Sequence, residues 1–298
     1  MYLQHFGLLR APFEMTPDPA FLYLGESHQE GLATLVYGVR ARKGFVLLTG
    51  EVGTGKTTLL HALLSQLDPK TAAAFVFNPR LGPLDFLRVL FDEFEIETPC
   101  STKAEYLIAF NKFLIERLER DHPTLLIVDE AQNLSAEMLE EIRLLSNLET
   151  PTSKLLQIML VGQPELEEML QQRELRQLRQ RIVLRFRLRP FDADETEHYV
   201  QERMRLAGYT GKGVFKRSAL RRLHVVTVGI PRLINAVCDG ALLLSYSRGQ
   251  AIVDASEIDE VARDLCIVAR DDGDDTGAAA VAVPRKGRWR SRLRSIFR

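Results

Sequence analysis

The chain has 298 residues, 46% of them hydrophobic, which is enough to bury a full core in one or two domains. Its 39 Lys and Arg nearly balance 40 Asp and Glu, so a net charge near −1 excludes any whole-protein electrostatic attraction for nucleic acid. Cys100, Cys238 and Cys266 fall in no close pair or metal-type spacing, which excludes a disulfide framework and fits a reducing cytoplasm.

In chain order, the N-terminus has no basic stretch followed by a long apolar one, so no signal peptide is expected. No window approaches the roughly 18 apolar residues that a membrane span needs. A soluble or peripheral, cytoplasmic protein is expected. Phe45–Thr49 then reads as a strand, and it runs directly into Gly50-Glu51-Val52-Gly53-Thr54-Gly55-Lys56-Thr57-Thr58 and a helical Leu-rich segment. Glycines at 50, 53 and 55 allow positive φ and a close approach of backbone to ligand. The N–H groups of such a loop, with the positive end of the following helix, form a phosphate cradle. Lys56 adds a mobile charge for the outer phosphates, and the Thr57 hydroxyl is a hard oxygen ligand for Mg²⁺.

Further strands are expected at Ala73–Phe77, Thr124–Val128, Leu156–Val161 and Ile182–Arg187, with helices at Pro83–Phe94 and Thr102–Arg120. Short strands alternating with helix-periodic segments indicate a parallel sheet with crossover helices. Leu125-Leu-Ile-Val128 would carry Asp129 and Glu130 to the carboxyl edge of that sheet. There Asp129 suits Mg²⁺ and Glu130 suits the orientation of an attacking water. Gln163, just after the next strand, is positioned to sense a γ-phosphate, with a turn-capping residue as the alternative. Seven arginines crowd the segment 173–189. Most are expected to pair with acids on a solvated face. Arg181, with Arg176 second, is the candidate for an arginine that reaches a neighbouring subunit's phosphates.

After Pro190-Phe191 the strand pattern stops, and helices are expected at about 193–207, 214–227, 231–248 and 255–269. Arg232 follows Pro231 in a first helical turn, against the dipole preference, so a contact with bound phosphate is expected of it. The division expected is a core at 1–190, a helical lid at 191–270 and a tail at 271–298. The tail begins with the acidic run Asp271–Asp275, and a basic stretch follows at 284–298. Trp289, Leu293, Ile296 and Phe297 would share one helical face among seven Lys and Arg. An anionic membrane surface, a partner protein, nucleic acid and disorder all remain open for it.

These pieces, taken in order, resemble an AAA+ ATPase. More narrowly, the chain is similar to the ExeA/GspA-type ATPases of bacterial secretion loci and to ATPases beside exosortase loci, with more distant relatives among MuB and TniB transposition ATPases. The resemblance is carried by Tyr2 to Leu8 with Pro12-Phe13, Thr16 to Tyr23, His28, Gly50 to Thr58, Asp129-Glu130-Ala131-Gln132, Gly162-Gln163-Pro164, Gln180-Arg181-Ile182 and Gly229-Ile230-Pro231-Arg232. It implies an α/β P-loop NTPase fold, with a parallel five-stranded sheet and a C-terminal all-helical lid. It further implies ATP and Mg²⁺ as ligands, catalysis completed within a homo-oligomer and a partner in an envelope or secretion assembly. The stretch Phe21–His28 would line the adenine side. A DNA-binding ATPase that recruits a partner is the alternative function.

Overall fold

The computed structural model describes residues 2–15, 21–77, 81–150 and 153–267. Strands β1 (Phe45–Gly50), β2 (Ala72–Val76), β3 (Thr124–Val128), β4 (Gln157–Gly162) and β5 (Ile182–Leu188) form one parallel sheet in the order β2-β3-β4-β1-β5. The strand positions match expectation to within a residue. β1, β3 and β4 are buried along their whole length, as apolar runs covered by helices on both faces require. Thr49 pairs with Gly162 and Val128 with Leu160, so the segments that follow these three strands leave the sheet side by side at its carboxyl edge.

A single turn, α1 (Tyr2–His5), precedes α2 (Glu26–Arg40) and α3 (Lys56–Gln66). The latter two cover one face of the sheet through Leu32, Leu35, Val39, Leu59 and Leu63. The other face is covered by α4 (Pro83–Glu93), α5 (Lys103–Glu119), α6 (Ala136–Leu145), α7 (Glu165–Met169) and α8 (Arg176–Arg181). Local chemistry sets the ends of these helices. Pro83 opens α4, and the Thr102 hydroxyl and Glu105 carboxylate cap α5 reciprocally.

The helical domain consists of α9 (Ala193–Leu206), α10 (Arg217–Thr227), α11 (Pro231–Ser247) and α12 (Ala255–Asp264). Two boundaries differ from the sequence reading. The segment expected to open α10 at residue 214 is extended, because Lys216 N–H donates to the Val253 carbonyl at 3.0 Å and Val253 N–H to Val214 at 2.8 Å. At the other end, α12 stops well before residue 269, where Cys266 takes a left-handed φ of 54°. The N-terminal segment, expected with the sheet, buries Phe6, Leu8, Phe13 and Phe21 in the core of these helices instead. The linker and basic tail expected at 271–298 lie outside the described residues, as does Thr16–Ala20.

The two parts meet at Phe191, whose N–H donates to the Gly229 carbonyl at 2.9 Å. Gly229 has φ 70°, and a Cβ there would lie 1.8 Å from the Phe191 oxygen. Gly229→Ala therefore meets both a strained φ and a backbone collision. A loss of roughly 2–4 kcal/mol is expected, read as a lower midpoint in urea unfolding.

Candidate functional site

β1 delivers the chain into the turn Gly50–Gly55, and α3 starts at Lys56. Gly53 and Gly55 take φ of 83° and 100°, conformations in which a side chain is strained. Four carbonyls of this loop, those of Gly50, Glu51, Gly53 and Thr54, are engaged by protein donors. Lys56 Nζ donates to Gly50 O at 2.7 Å and to Glu51 O at 3.1 Å. Thr54 Oγ1 donates to Glu51 O at 2.8 Å. The Gly53 carbonyl accepts from Arg232 N–H at 3.3 Å, and the Thr54 carbonyl lies 2.9 Å from His28 Nε2. With its oxygens occupied this way, the loop keeps N–H groups for an anion. Val52 is exposed at the loop's tip, while Thr57 and Thr58 are half-buried in the first turn of α3.

β3 places Asp129 and Glu130 beside this loop. Asp129 N–H extends the sheet ladder to the Val76 carbonyl at 3.0 Å, and its carboxylate accepts from Glu130 N–H at 2.9 Å. Glu130 sits in a left-handed conformation, φ 53°, uncommon for a side chain of its size and of the kind found at working sites. Two amides hold its carboxylate. Gln132 Nε2 donates to Oε2 at 2.6 Å, and Gln163 Nε2 donates to the same oxygen at 3.2 Å. The backbone N–H of Gln163 donates in turn to Gln132 Oε1 at 3.1 Å, so the amides orient one another. Gln163, expected to sense a γ-phosphate, lies in contact with Glu130. Gln132 was given no role of its own; its signal was only its place two residues beyond Glu130.

Charge is concentrated here. Burial pulls the Lys56 ammonium below the ordinary lysine value, opposed by the carboxylates of Glu130, Asp129, Glu51 and Glu165. Burial likewise raises the Asp129 carboxyl above its usual range, while Glu130 N–H and Lys56 favour the ionised form. Among the described residues no group of three or more His, Cys, Asp or Glu side chains gathers as a candidate metal site.

The helical domain closes over the loop. α11 begins at Pro231, and Arg232 stands so close to the loop that a Cβ on Gly53 would lie 2.6 Å from the arginine's own Cβ. Arg232, expected to contact bound phosphate, thus lies against Gly53 of the loop. Glu195 of α9 completes the contact, its carboxylate accepting from Glu26 N–H at 2.6 Å while it also caps its own helix. It supplies the cap that α2 lacks locally. Arg181 is different. It precedes Ile182, which pairs with Phe45 at the far end of the sheet, and it donates to the Ser146 hydroxyl. Arg176 is exposed on α8. Neither arginine is brought to this chain's own loop.

The family model for an AAA domain matches residues 39–170. General secretion pathway protein A of Aeromonas hydrophila is 43% identical over 286 residues, which is 95% of this chain and 52% of that protein. The chain belongs to the general secretion pathway protein A family of AAA+ ATPases. It spans about half the length of that relative. Solved structures agree on the fold. Drosophila ORC bound to DNA aligns with a TM-score of 0.65 at 17% identity over 90% of this chain and 67% of that one. Cdc6p from Pyrobaculum aerophilum gives 0.61 at 18% identity over 84% and 71%, and the Thermotoga maritima RuvB motor gives 0.52 at 16% identity over 86% and 74%.

In this family setting, Gln132→Ala removes one of the two amides that fix Glu130. ATP turnover is expected to fall about tenfold with nucleotide affinity retained, as steady-state hydrolysis and equilibrium titration would measure.

Proposed function

We propose that this chain binds and hydrolyses ATP with Mg²⁺, completes its site between subunits of a homo-oligomer, and energises or switches a cell-envelope secretion assembly. The observation that carries the chemistry is the Glu130 carboxylate, held through one oxygen by Gln132 and Gln163 beside a lysine-bearing glycine loop. A carboxylate pinned in this way is suited to orient and polarise a water. Because both amides engage Oε2, Oε1 is the oxygen left to it.

The surroundings fit a divalent cation. Four carboxylates act on the single Lys56 ammonium, and a triphosphate entering among them brings more negative charge. The Thr57 hydroxyl and the Asp129 carboxylate are the hard oxygen donors that would hold Mg²⁺. When bound, Mg²⁺ neutralises phosphate charge and orients the phosphate oxygens. The residues Gly50 to Thr58 supply N–H and hydroxyl donors, and Lys56 exchanges loop carbonyls for phosphate oxygens. Gln163 links the γ-phosphate side to Glu130, and Arg232 links that side to the helical domain. Arg181 or Arg176, displaced from the chain's own loop, would act on a neighbour's nucleotide.

The secretion role draws on the relative's name, and a place in the cytoplasm, peripheral at the inner membrane, goes with it. Among the described residues no helix is long and apolar enough to cross a membrane. Contact with anionic lipid is assigned to residues 284–298. The second reading, a DNA-directed ATPase, draws on the edge strand β5, where Arg185 and Arg187 are exposed beside Val183.

Lys56→Ala is expected to abolish binding of ATP, and calorimetric titration showing wild-type affinity would refute the site. Glu130→Gln is expected to bind ATP while turnover drops by at least about a hundredfold. Normal hydrolysis by that variant would place water activation elsewhere. Turnover measured with anionic vesicles and with duplex DNA separates the two roles. Vesicle stimulation lost on deleting residues 284–298 supports the envelope reading. Stimulation by DNA that falls steeply with salt supports the other.

A further inference from the structure

His28 lies in the first turn of α2, is 2% exposed, and belongs to none of the phosphate, metal or water contacts described above. Its Nε2 stands 2.9 Å from the Thr54 carbonyl oxygen, and its ring centroid lies 5.2 Å from that of Phe191. A carbonyl oxygen only accepts, so Nε2 carries the proton and Nδ1 bears the lone pair. Nδ1 is buried and has no hydrogen-bond partner among the described residues. A buried acceptor left unpaired is destabilising, and a leucine would fill similar space without that cost. Packing does not account for this side chain. The bond from Nε2 does.

The carbonyl of Thr54 and the N–H of Gly55 belong to one planar trans peptide, so they point in opposite directions. Holding the Thr54 oxygen toward α2 turns the Gly55 N–H toward the other side, the concave side of the loop. Gly55, with φ of 100°, borders this peptide on one side and lets its N–H swing without the steric limit that a Cβ would impose. A flipped peptide would present an oxygen where a phosphate needs a donor. Gly55 also makes room for the ring, since a Cβ there would sit 3.0 Å from Nε2.

We propose that His28 is a positioning residue of the nucleotide site, which fixes the Thr54–Gly55 peptide with its N–H toward the phosphates by holding the Thr54 carbonyl from outside. The proposal rests on the reading of this loop as the phosphate site of ATP. Its effect falls on binding of the phosphates in ground state and transition state alike, so it appears in KM more than in kcat.

The test is a titration with a fluorescent ADP analogue of the wild-type chain and of His28→Gln, His28→Asn, His28→Leu and Lys56→Ala. A glutamine amide reaches about as far as Nε2, whereas an asparagine amide ends near the position of Nδ1. His28→Asn and His28→Leu are expected to bind about tenfold more weakly, and His28→Gln to recover most of that loss. Nitrogen-15 spectra of the unaltered chain are expected to show His28 as the Nε2–H tautomer, with a resonance that moves on adding ADP. Wild-type affinity in His28→Asn and His28→Leu, a His28→Gln as weak as His28→Leu, or an Nδ1–H tautomer would each overturn the proposal. If a variant fails to fold, the tautomer and its response to ADP decide the matter in the natural chain. Wild-type binding by Lys56→Ala would remove the phosphate-site reading itself, a failure distinct from that of His28 alone.

Discussion

A backbone loop shaped to offer its N–H groups to a phosphate must send its carbonyls somewhere else, and in this protein four of the loop's carbonyls fix the position of other groups. Gly50 and Glu51 oxygens hold Lys56, the Gly53 oxygen holds the start of α11, and the Thr54 oxygen holds the start of α2. Buried carbonyls left unpaired would be costly, so the loop is shaped from outside as much as by its glycines. The helical domain is placed by the same requirement, because the N–H that satisfies Gly53 is that of Arg232. The shape of the loop and the placement of that domain therefore share one set of bonds.

The carboxylate side obeys a related logic. β3 and β4 run side by side, and their ends bring residues 130 and 163 within hydrogen-bonding reach. A carboxylate with free rotamers would spend its time among several orientations, and two amides on one oxygen remove most of them. The cross-strand geometry thus turns an acidic side chain into a directed one, at a position whose backbone is itself in a strained conformation.

Much of this was legible in the sequence because it rests on local pattern. Apolar runs of five or six residues gave the strands, and the spacing of Gly50, Gly53, Gly55 and Lys56 marked the glycine loop. Asp129, Glu130, Gln163 and Arg232 were singled out by their places relative to strand ends and to Pro231. What escaped depends on contacts between residues far apart in the chain. The Glu195 cap on α2 joins positions 169 residues apart, and nothing near either residue announces it. No helix or strand was expected in the first residues, and only the tertiary structure shows Phe6, Leu8 and Phe13 filling the helical core. The start of α10 was misplaced because Val214 and Phe215 carry helix-compatible periodicity, yet pairing with Val253 draws them into an extended segment. The resemblance gave His28 a place on the adenine side, but not the carbonyl it holds.

The cysteines, which take no part in the chemistry, lie usefully on either side of the junction. Cys100 is partly accessible and packs against the sheet's helical cover, Cys266 is exposed beyond α12, and Cys238 is sealed inside the helical core. Burial drives the Cys238 thiol far above its ordinary pKa, so it is inert to alkylation while the other two are open to it. The natural chain thus carries a ready pair of attachment points for spectroscopic labels, one on each body. The distance between them would report how the helical domain tilts against the sheet as nucleotide comes and goes.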